Sequence, residues 1–175
     1  MNLQEKIDKA IRNVPNFPKE GIMFKDITPV LENATLSAEI IKEFAAKMEG
    51  KVDAIAGIES RGFLFGFPVA VELGIPFILI RKKGKLPYTT ISHKYDLEYG
   101  SAEIEMHVDT ITPGMNVLVH DDLLATGGTA IAASELITKQ GGNVAGYSFL
   151  VELAFLEGAN KLKAYSDKIT SLVSY

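Results

Sequence analysis

Short apolar runs alternate along this chain with longer stretches in which apolar residues recur every three or four positions. The runs predict buried strands, because a strand covered on both faces of a parallel sheet is apolar throughout. The predicted strands cover residues 52–58, 76–80, 117–119, 144–153 and 169–175. The predicted helices cover residues 3–14, 36–48, 63–73, 131–140 and 154–163. Strands and helices in alternation predict an α/β fold with a doubly wound parallel sheet.

Three stretches depart from this alternation. Residues 15–31 are broken by prolines and too short for a core strand, so we expect them to form a small hood over one edge of the sheet. The stretch 81–92 carries four cations and has no regular period, which predicts a flexible basic loop within residues 81–100. After that loop, apolar residues in 102–108 alternate with Glu103, Glu105 and His107, which predicts a strand with one face toward water.

Composition narrows the classes of protein that this chain can represent. With 175 residues, 47% of them hydrophobic, the chain can bury one core, so we expect a single domain over residues 1–175. A net charge of −4 argues against nucleic acid as the main partner. The absence of cysteine excludes disulfides and thiolate metal sites. The N-terminal residues lack a continuous apolar stretch, so we expect no signal peptide, no membrane span and a cytoplasmic location.

The candidate chemistry is concentrated at residues 117–130. Asp121 and Asp122 follow the apolar run, at the carboxyl end of a predicted strand, where two acceptors suit the vicinal hydroxyls of a ribose. Small residues and Gly127-Gly128 then precede a helix, and a helix N-terminus behind a close backbone turn binds phosphate. The loop matches neither the P-loop nor the dinucleotide fingerprint. The predicted ligands of ribose and 5′-phosphate are Asp121, Asp122, Ala125, Thr126, Gly127, Gly128 and Thr129. The alternative is an ordinary turn with a solvated acidic pair.

A second loop, residues 59–62, follows its strand in the same way and is expected at the same sheet edge. Arg61 in this loop can bind two pyrophosphate oxygens in a bidentate manner. A capping and salt-bridging loop is the alternative for Glu59-Ser60-Arg61. No His, Asp and Glu arrangement in the sequence has metal-ligand spacing, so we expect any metal to arrive with the substrate.

The run Val117 to Thr129 resembles the phosphoribosyl-pyrophosphate motif of type I phosphoribosyltransferases, in the variant found in adenine-specific members of that family. The resemblance extends over nearly the whole chain in order. It includes Phe24-Lys25-Asp26-Ile27-Thr28-Pro29-Val30-Leu31, Glu59-Ser60-Arg61-Gly62-Phe63, Arg81-Lys82-Lys83-Gly84-Lys85-Leu86-Pro87, Leu97-Glu98-Tyr99-Gly100 and Leu150-Val151-Glu152-Leu153. One departure is His120, where the family usually carries an aliphatic residue.

The resemblance implies the type I phosphoribosyltransferase fold and transfer of a phosphoribosyl group from 5-phosphoribosyl 1-pyrophosphate to N9 of adenine, with AMP and pyrophosphate as products. It implies Mg²⁺ held mainly by the substrate, a cis non-proline peptide in the loop at 59–62, and a homodimer in which Arg81 reaches the neighbouring site. The implied catalytic residues are Glu98 and Arg61. The implied pyrophosphate ligands are Glu59, Ser60, Arg61, Arg81, Lys82, Lys85 and Tyr99. For adenine, we predict that the main chain near Phe24 and Lys25 matches the N6 donor and the N1 acceptor, with Phe24 and Leu150 packed on the faces of the ring.

Two rival functions share this fold. A 6-oxopurine transferase would need a lysine after the strand that follows the phosphate loop, and Tyr147 to Phe155 contain none. A regulator that senses the sugar pyrophosphate while binding nucleic acid or protein would be expected to carry an appended domain or basic surface, and the acidic net charge argues against it.

Overall fold

The computed structural model describes residues 1–97 and 100–175. Within this part of the chain, seven strands form one sheet and two form a separate hairpin. The strands are β1 (Arg12–Pro15), β2 (Met23–Asp26), β3 (Ala54–Ile58), β4 (Phe77–Lys82), β5 (Thr90–Asp96), β6 (Ser101–His107), β7 (Asn116–Leu124), β8 (Asn143–Glu152) and β9 (Ile169–Ser174). The helices are α1 (Leu3–Ala10), α2 (Thr28–Leu31), α3 (Ala34–Met48), α4 (Gly62–Leu73), α5 (Gly128–Lys139) and α6 (Gly158–Leu162), with a 3-10 turn at Ala154–Leu156.

The large sheet has the order β5-β6-β4-β3-β7-β8-β9. Strands β4, β3, β7, β8 and β9 are parallel, and β5 and β6 form an antiparallel hairpin that pairs with β4. From β3 the chain adds β4 on one side and later returns to add β7 on the other, so the strand order reverses between β3 and β7. Open α/β sheets bind ligands at such a reversal. The predicted α/β class and parallel sheet are confirmed.

Two apolar layers cover the sheet. One face packs against α5 and α6, with Val117 and Val119 of β7 in that layer. The other face packs against α1, α3 and α4, and Leu118 points into it. The alternation along β7 follows from the period of two along a strand. Helix α4 keeps Pro68 inside it and ends at Gly74, whose φ of 66° is the left-handed cap that glycine adopts readily.

The N-terminal prediction is wrong in one respect. The helix ends at Ala10, and Val14 lies in β1, where it pairs with Phe24 of β2. Strands β1 and β2 together form the hood hairpin, residues 12–26, so the hood begins earlier than predicted. Its arms are joined by an ion pair of 3.1 Å between Arg12 and Asp26. Val14 has the spacing that would continue the apolar face of α1, but it belongs to β1. A strand of four residues can bury one face with a single apolar residue, so the match to the helical period is a coincidence.

Two predictions fail around the basic loop and one near the C-terminus. The irregular loop is confined to 83–89, because residues 90–96 form β5. Glu105 was predicted to face water, yet it is only 2% exposed. Its carboxylate accepts hydrogen bonds from the backbone of Lys85 and Leu86 and from Thr90 Oγ1, so it anchors the loop. The predicted polar helix over 154–163 is split into the 3-10 turn and α6 by Glu157, whose φ is 56°.

Among the residues that the structure describes, no helix is long and apolar enough to cross a membrane.

Candidate active site

The acid pair lies inside β7 rather than after it. Asp121 pairs in register with Phe149 of β8, and the strand continues to Leu124. The two acids therefore sit on opposite sides of the strand at the carboxyl edge of the sheet. Asp122 is buried, and its Oδ2 forms an ion pair of 2.7 Å with Nε of Arg61. The prediction that the strand stops before the acids is wrong, because polar residues at a sheet edge can still complete the main-chain ladder.

Asp121 is held in an unusual electrostatic environment. Burial raises the pKa of its carboxyl well above the ordinary value, and the negative charge of Asp122 raises it further. The Arg61 guanidinium opposes this shift without cancelling it. The site therefore has one carboxylate paired with a cation and a neighbour that binds a proton more readily than an exposed aspartate. A strongly shifted pKa with a nearby charged partner, as at Asp121, is typical of functional sites.

The loop at residues 59–62 docks directly on the acid pair. The Glu59–Ser60 peptide bond is cis, as the family resemblance implied. Gly62 begins α4 so close to β7 that a Cβ atom there would lie 2.8 Å from the carbonyl oxygen of His120. Only a residue without a side chain fits at this contact. The close approach brings Arg61 within reach of Asp122.

Glu59 binds the two cationic residues at the end of β4, Arg81 and Lys82. Its carboxylate accepts two hydrogen bonds of 3.2 Å from the guanidinium of Arg81 and one of 2.9 Å from the backbone of Lys82. Burial raises the pKa of Glu59, but the hydrogen bonds from Arg81 and Lys82 outweigh that effect and hold the pKa below its ordinary value. Glu59 thus stays ionised and fixes Arg81. Within this chain Glu59 therefore binds Arg81, and the implied role of Arg81 across a dimer interface stays a prediction.

The predicted phosphate loop forms a separate small concavity. Residues 125–129 line it together with Asp121, and its volume is about 90 Å³. Gly127 has a φ of 83°, which suits glycine, and α5 starts at the next residue. Behind the loop, a Cβ on Gly158 would overlap the carbonyl oxygen of Ala125. Backbone therefore packs on backbone, with the N-terminus of α5 open toward the concavity.

Two larger cavities meet at Asp121. One, of about 300 Å³, is lined by Glu59, Ser60, Arg61, Lys82, Asp121 and Asp122. The other, of about 460 Å³, brings Arg81, Lys82 and Lys83 to the same edge as Tyr95 and Thr129. The structure thus gathers most of the predicted pyrophosphate ligands around the acid pair. Among the predicted ligands that the structure describes, Lys85 is the exception, since it lines neither cavity, and its backbone instead bonds to Glu105 and Arg81.

The hood hairpin closes the other side of the acid pair. The Phe24 ring lies 5.6 Å from the guanidinium carbon of Arg61 and forms an edge contact of 5.1 Å with Phe17. The ammonium group of Lys25 points away from the site. Its ammonium group donates to Asn13 at 2.8 Å and lies 3.4 Å from the centre of the Tyr175 ring. Only the main chain of Lys25 is then available to a base, and β2 has an open edge because the hairpin has two strands.

Leu150 was predicted to cover one face of adenine, and the structure contradicts this. Its side chain is 0% exposed and packs in the apolar layer on the α3 and α4 face. Leu150 lies within β8, as predicted, but its side chain points into the apolar layer and not toward the ligand edge. Leu153 is partly buried just beyond the strand end, and it is the better candidate. Glu98 and Tyr99 lie outside the described residues, so their predicted roles stay predictions.

Comparison with known proteins decides the family. A model of the phosphoribosyl transferase domain matches residues 25–170. An adenine phosphoribosyltransferase of Cytophaga hutchinsonii is 51% identical over 174 residues, which are 99% of this chain and 96% of that protein. The chain belongs to the adenine phosphoribosyltransferase family. Another member, from Methanococcus maripaludis, is 53% identical over 95% of this chain and 96% of its own length.

Solved structures of the family agree with this assignment. The adenine phosphoribosyltransferase of Thermoanaerobacter pseudethanolicus superposes with a TM-score of 0.93 at 48% identity, covering 98% of this chain and 99% of that one. The Saccharomyces cerevisiae enzyme, solved with an imino-altritol bisphosphate and adenine, gives 0.91 at 40% identity, with 97% and 98% covered. The Trypanosoma brucei enzyme, in complex with AMP, pyrophosphate and ribose-5-phosphate, gives 0.89 at 27% identity, with 99% and 80% covered.

Sequence reasoning missed several residues that build this family's site here. Gly62 and Gly158 are close-packing glycines, and no sequence pattern separates them from ordinary turn glycines. Tyr95 lines the larger cavity beside Thr129. The alternation of Ile91, His93 and Tyr95 could have identified β5 and the face that Tyr95 presents, but the preceding run of cations hid that period.

Proposed function

We propose that this chain transfers the 5-phosphoribosyl group of 5-phosphoribosyl 1-pyrophosphate to N9 of adenine, yielding AMP and pyrophosphate, and so acts in purine salvage. One observation carries the proposal. Arg61 forms an ion pair with Asp122, and its guanidinium carbon lies 5.6 Å from the centre of the Phe24 ring. Through it, the hood, the acid pair and the pyrophosphate loop adjoin one another. A base, a ribose and a leaving pyrophosphate would have to meet in that same arrangement.

The relatives support the choice of substrate. The Saccharomyces cerevisiae enzyme binds adenine, and the Trypanosoma brucei enzyme binds AMP, pyrophosphate and ribose-5-phosphate. In this chain we assign the 5′-phosphate to the loop at 125–129, whose backbone N–H groups and helix N-terminus suit a phosphate. Asp121 and Asp122 would accept from the ribose hydroxyls. Arg61, Lys82 and the Arg81 that Glu59 orients would hold the pyrophosphate.

The chain's own groups meet the demands of the bond-breaking step. As pyrophosphate leaves, positive charge develops on the ribose carbon, and fixed groups lower the barrier when they stabilise that charge more than the ground state. The acid pair supplies negative charge beside the ribose, while Arg61 and Lys82 offset charge on the leaving group. Adenine loses its N9 proton, and we assign its removal to Glu98, with closure of the segment around it excluding water.

For adenine itself we propose recognition by main-chain groups of β2. Adenine presents a donor at N6 and an acceptor at N1, which backbone C=O and N–H groups can match without a charged side chain. The open edge of β2 supplies such groups, and the Lys25 ammonium is occupied elsewhere. Phe24 would cover one face of the ring, and Leu153 replaces Leu150 on the other.

We also propose that Mg²⁺ enters with the substrate. Among the described residues, no group of three or more His, Cys, Asp or Glu side chains could hold a metal ion. The two carboxylates at residues 121 and 122 are hard oxygen donors that fit Mg²⁺ if substrate oxygens complete its shell. When bound, the ion would offset charge on the pyrophosphate oxygens.

A single domain that works as a homodimer completes the proposal. The outer face of α4 exposes Leu64, Phe67 and Val71, at 43%, 55% and 63%. These positions follow helical spacing and form one apolar stripe, which is typical of a surface that a second subunit covers.

Product analysis tests the function. The purified chain is mixed with 5-phosphoribosyl 1-pyrophosphate, Mg²⁺ and one purine base at a time, and the products are separated by chromatography. We expect AMP from adenine and no nucleotide from hypoxanthine or guanine. Formation of IMP or GMP at comparable rates would favour the 6-oxopurine alternative, and no product from any base would overturn the assignment.

A further inference from the structure

Tyr95 connects the hairpin β5–β6 to the phosphate loop. Its hydroxyl oxygen lies 3.1 Å from Oγ1 of Thr129, a residue of the first turn of α5. Its ring lies 3.9 Å from the position that a Cβ on Gly128 would take. The ring is partly buried against the apolar layer on the α5 face. Tyr95 therefore lies against the first turn of α5, beside the concavity to which we assign the 5′-phosphate.

Strand β5 lies along α5 through three alternate residues. Ile91 packs into the apolar layer, and His93 Nδ1 is 2.9 Å from the ammonium group of Lys139 at the far end of the helix. Tyr95 makes the contact at the helix N-terminus. On its other side, β5 pairs with β6 along its whole length, from Thr90 to Asp96. Within the part of the chain that the structure describes, the contact of Tyr95 with Thr129 is the one hydrogen bond between the hairpin and the phosphate loop.

We infer that Tyr95 is a positioning residue that couples occupancy of the 5′-phosphate site at Thr129 to the placement of the hairpin β5–β6; the inference rests on the proposed function. Without a ligand, either hydroxyl can donate to the other. When a phosphate oxygen accepts from the Thr129 hydroxyl, the Thr129 oxygen becomes an acceptor for Tyr95. A chain of donors then runs from Tyr95 through Thr129 to the phosphate, and each bond in such a chain polarises the next.

This coupling has a consequence in both directions. If phosphate strengthens the contact between Tyr95 and Thr129, then that contact strengthens phosphate binding by the same factor, because linkage between binding equilibria is reciprocal. One neutral hydrogen bond changes an equilibrium by about two- to tenfold. In the sequence, Tyr95 stands three residues before Glu98, the proposed acceptor of the adenine proton. Binding of the sugar phosphate would therefore fix the position of β5, the strand that precedes Glu98 in the sequence.

The decisive variant is Tyr95→Phe, which keeps the ring and removes the hydroxyl. We expect calorimetry to show ribose 5-phosphate binding weakened by about two- to tenfold, and kinetics to show a raised KM for the sugar pyrophosphate with the KM for adenine unchanged. Tyr88→Phe is the matched control, since Tyr88 is 80% exposed in the neighbouring loop. It should leave both values unchanged.

A double-mutant cycle with Thr129→Val separates coupling from a general loss of fit. In the Thr129→Val background, Tyr95→Phe should have no further effect on ribose 5-phosphate binding, because the partner hydroxyl is already absent. Additive losses would overturn the inference. Hydrogen exchange gives a second readout that does not require tight binding. Ribose 5-phosphate should slow amide exchange in β5 and β6 of the parent chain and not in Tyr95→Phe, and equal protection in both would also overturn it.

Failure of the proposed function would look different. A parent chain that makes no AMP but binds ribose 5-phosphate, with the non-additive cycle, would retain the coupling and lose the reaction. Melting temperatures of all variants, measured first, show whether each is folded. If Tyr95→Phe does not fold, Tyr95→Trp, which keeps an aromatic body but places its donor elsewhere, enters the same exchange experiment with the same expected loss of protection.

Discussion

His120 is a buried polar residue at a position where the family usually has an aliphatic one. Its Nδ1 lies 2.7 Å from Oγ of Ser148, and its ring makes an edge contact with Phe44. Its Nε2 has no partner among the described residues. Burial lowers the pKa of His120 from 6.5 to about 4. The imidazole is therefore neutral at pH 7, and the residue next to the acid pair contributes no charge to it.

The lowered pKa predicts a loss of stability in mild acid. In the unfolded chain the imidazole takes up a proton near pH 6.5, whereas the folded chain resists this until about pH 4. The unfolded state thus binds more protons between these values, so stability falls as pH falls through this window. At pH 5 the contribution is about 2 kcal/mol. We expect the pair His120→Leu and Ser148→Ala to remove this part of the pH dependence in urea unfolding at pH 7 and pH 5.

Ser148→Ala alone is the control for that experiment. It leaves both imidazole nitrogens without a side-chain partner and should destabilise the fold at pH 7, whereas the double variant should not. If the double variant lost as much stability between pH 7 and pH 5 as the parent chain does, another group would have to carry the acid sensitivity.

Among the helices and strands, the sequence predicted those in which apolar residues recur with the spacing of the buried positions. The parallel strands and α3, α4 and α5 were found because each has an apolar face of the expected period. Residues 12–15 and 90–96 were missed, since the first continues the period of α1 and the second follows a run of cations. Glu105 failed for a related reason. Alternation predicts which side a residue faces, but it cannot show that a loop folds back to cover that side.

The site residues that the sequence predicted are those that a local pattern marks. Asp121, Arg61 and the phosphate loop stand next to strand ends in the sequence, so the topology brings them together. The ion pair of Glu59 with Arg81 joins the loop after β3 to the end of β4, two segments that are 22 residues apart, so no local sequence pattern indicates it. The end of β8 was predicted to within one residue, but Leu150 was misplaced because the sequence did not show that its side chain faces the apolar layer on the α3 and α4 face.

The hood hairpin predicts a selective effect on the base. Phe24→Ala removes the ring that we assign to one face of adenine, and stacking of a base on an aromatic ring typically contributes enough to change affinity by about tenfold or more. We expect calorimetry to show that loss for adenine and less than about a twofold change for the sugar pyrophosphate. Phe17→Ala, which removes only the edge partner of Phe24, should have the smaller effect on adenine. Equal losses for both ligands would refute the placement of the base at the hood.

The segment after β5 carries the chemical prediction. Glu98→Gln keeps the size of the side chain and removes its basicity, so turnover should fall by about two orders of magnitude or more, the usual scale of general acid–base catalysis. Substrate affinities should change little. Steady-state and single-turnover rates across the pH range provide the measurement. Near-normal turnover would leave electrostatics and positioning to account for the rate.

For the whole molecule, the sheet order explains where the site lies, and the surface of α4 predicts how the molecule assembles. Phe67 lies in the middle of the exposed apolar stripe, 5.8 Å from the ring of Phe77. Phe67→Glu places a charge where a second subunit would bury it, which is costly without a partner charge. We expect the parent chain to sediment as a dimer and Phe67→Glu as a monomer at the same concentration.

Val108→Glu is the matched control for assembly, since Val108 is an exposed apolar residue on another surface, 38% exposed at the end of β6. It should leave the dimer intact. A parent chain that is monomeric at every concentration tested would contradict the proposed assembly, and a dimer unaffected by Phe67→Glu would place the interface elsewhere.

The contact between Gly158 and the backbone of Ala125 bears on protein engineering. The stretch 117–130 looks like a portable module that could be moved into another parallel sheet to create a phosphate site. Its rear wall, however, is supplied by a residue about thirty positions later in the chain, after β8 has been completed. A transplanted loop would lack that support and could relax into other turns. A working graft would have to include the Glu157-Gly158 turn and the strand that delivers it.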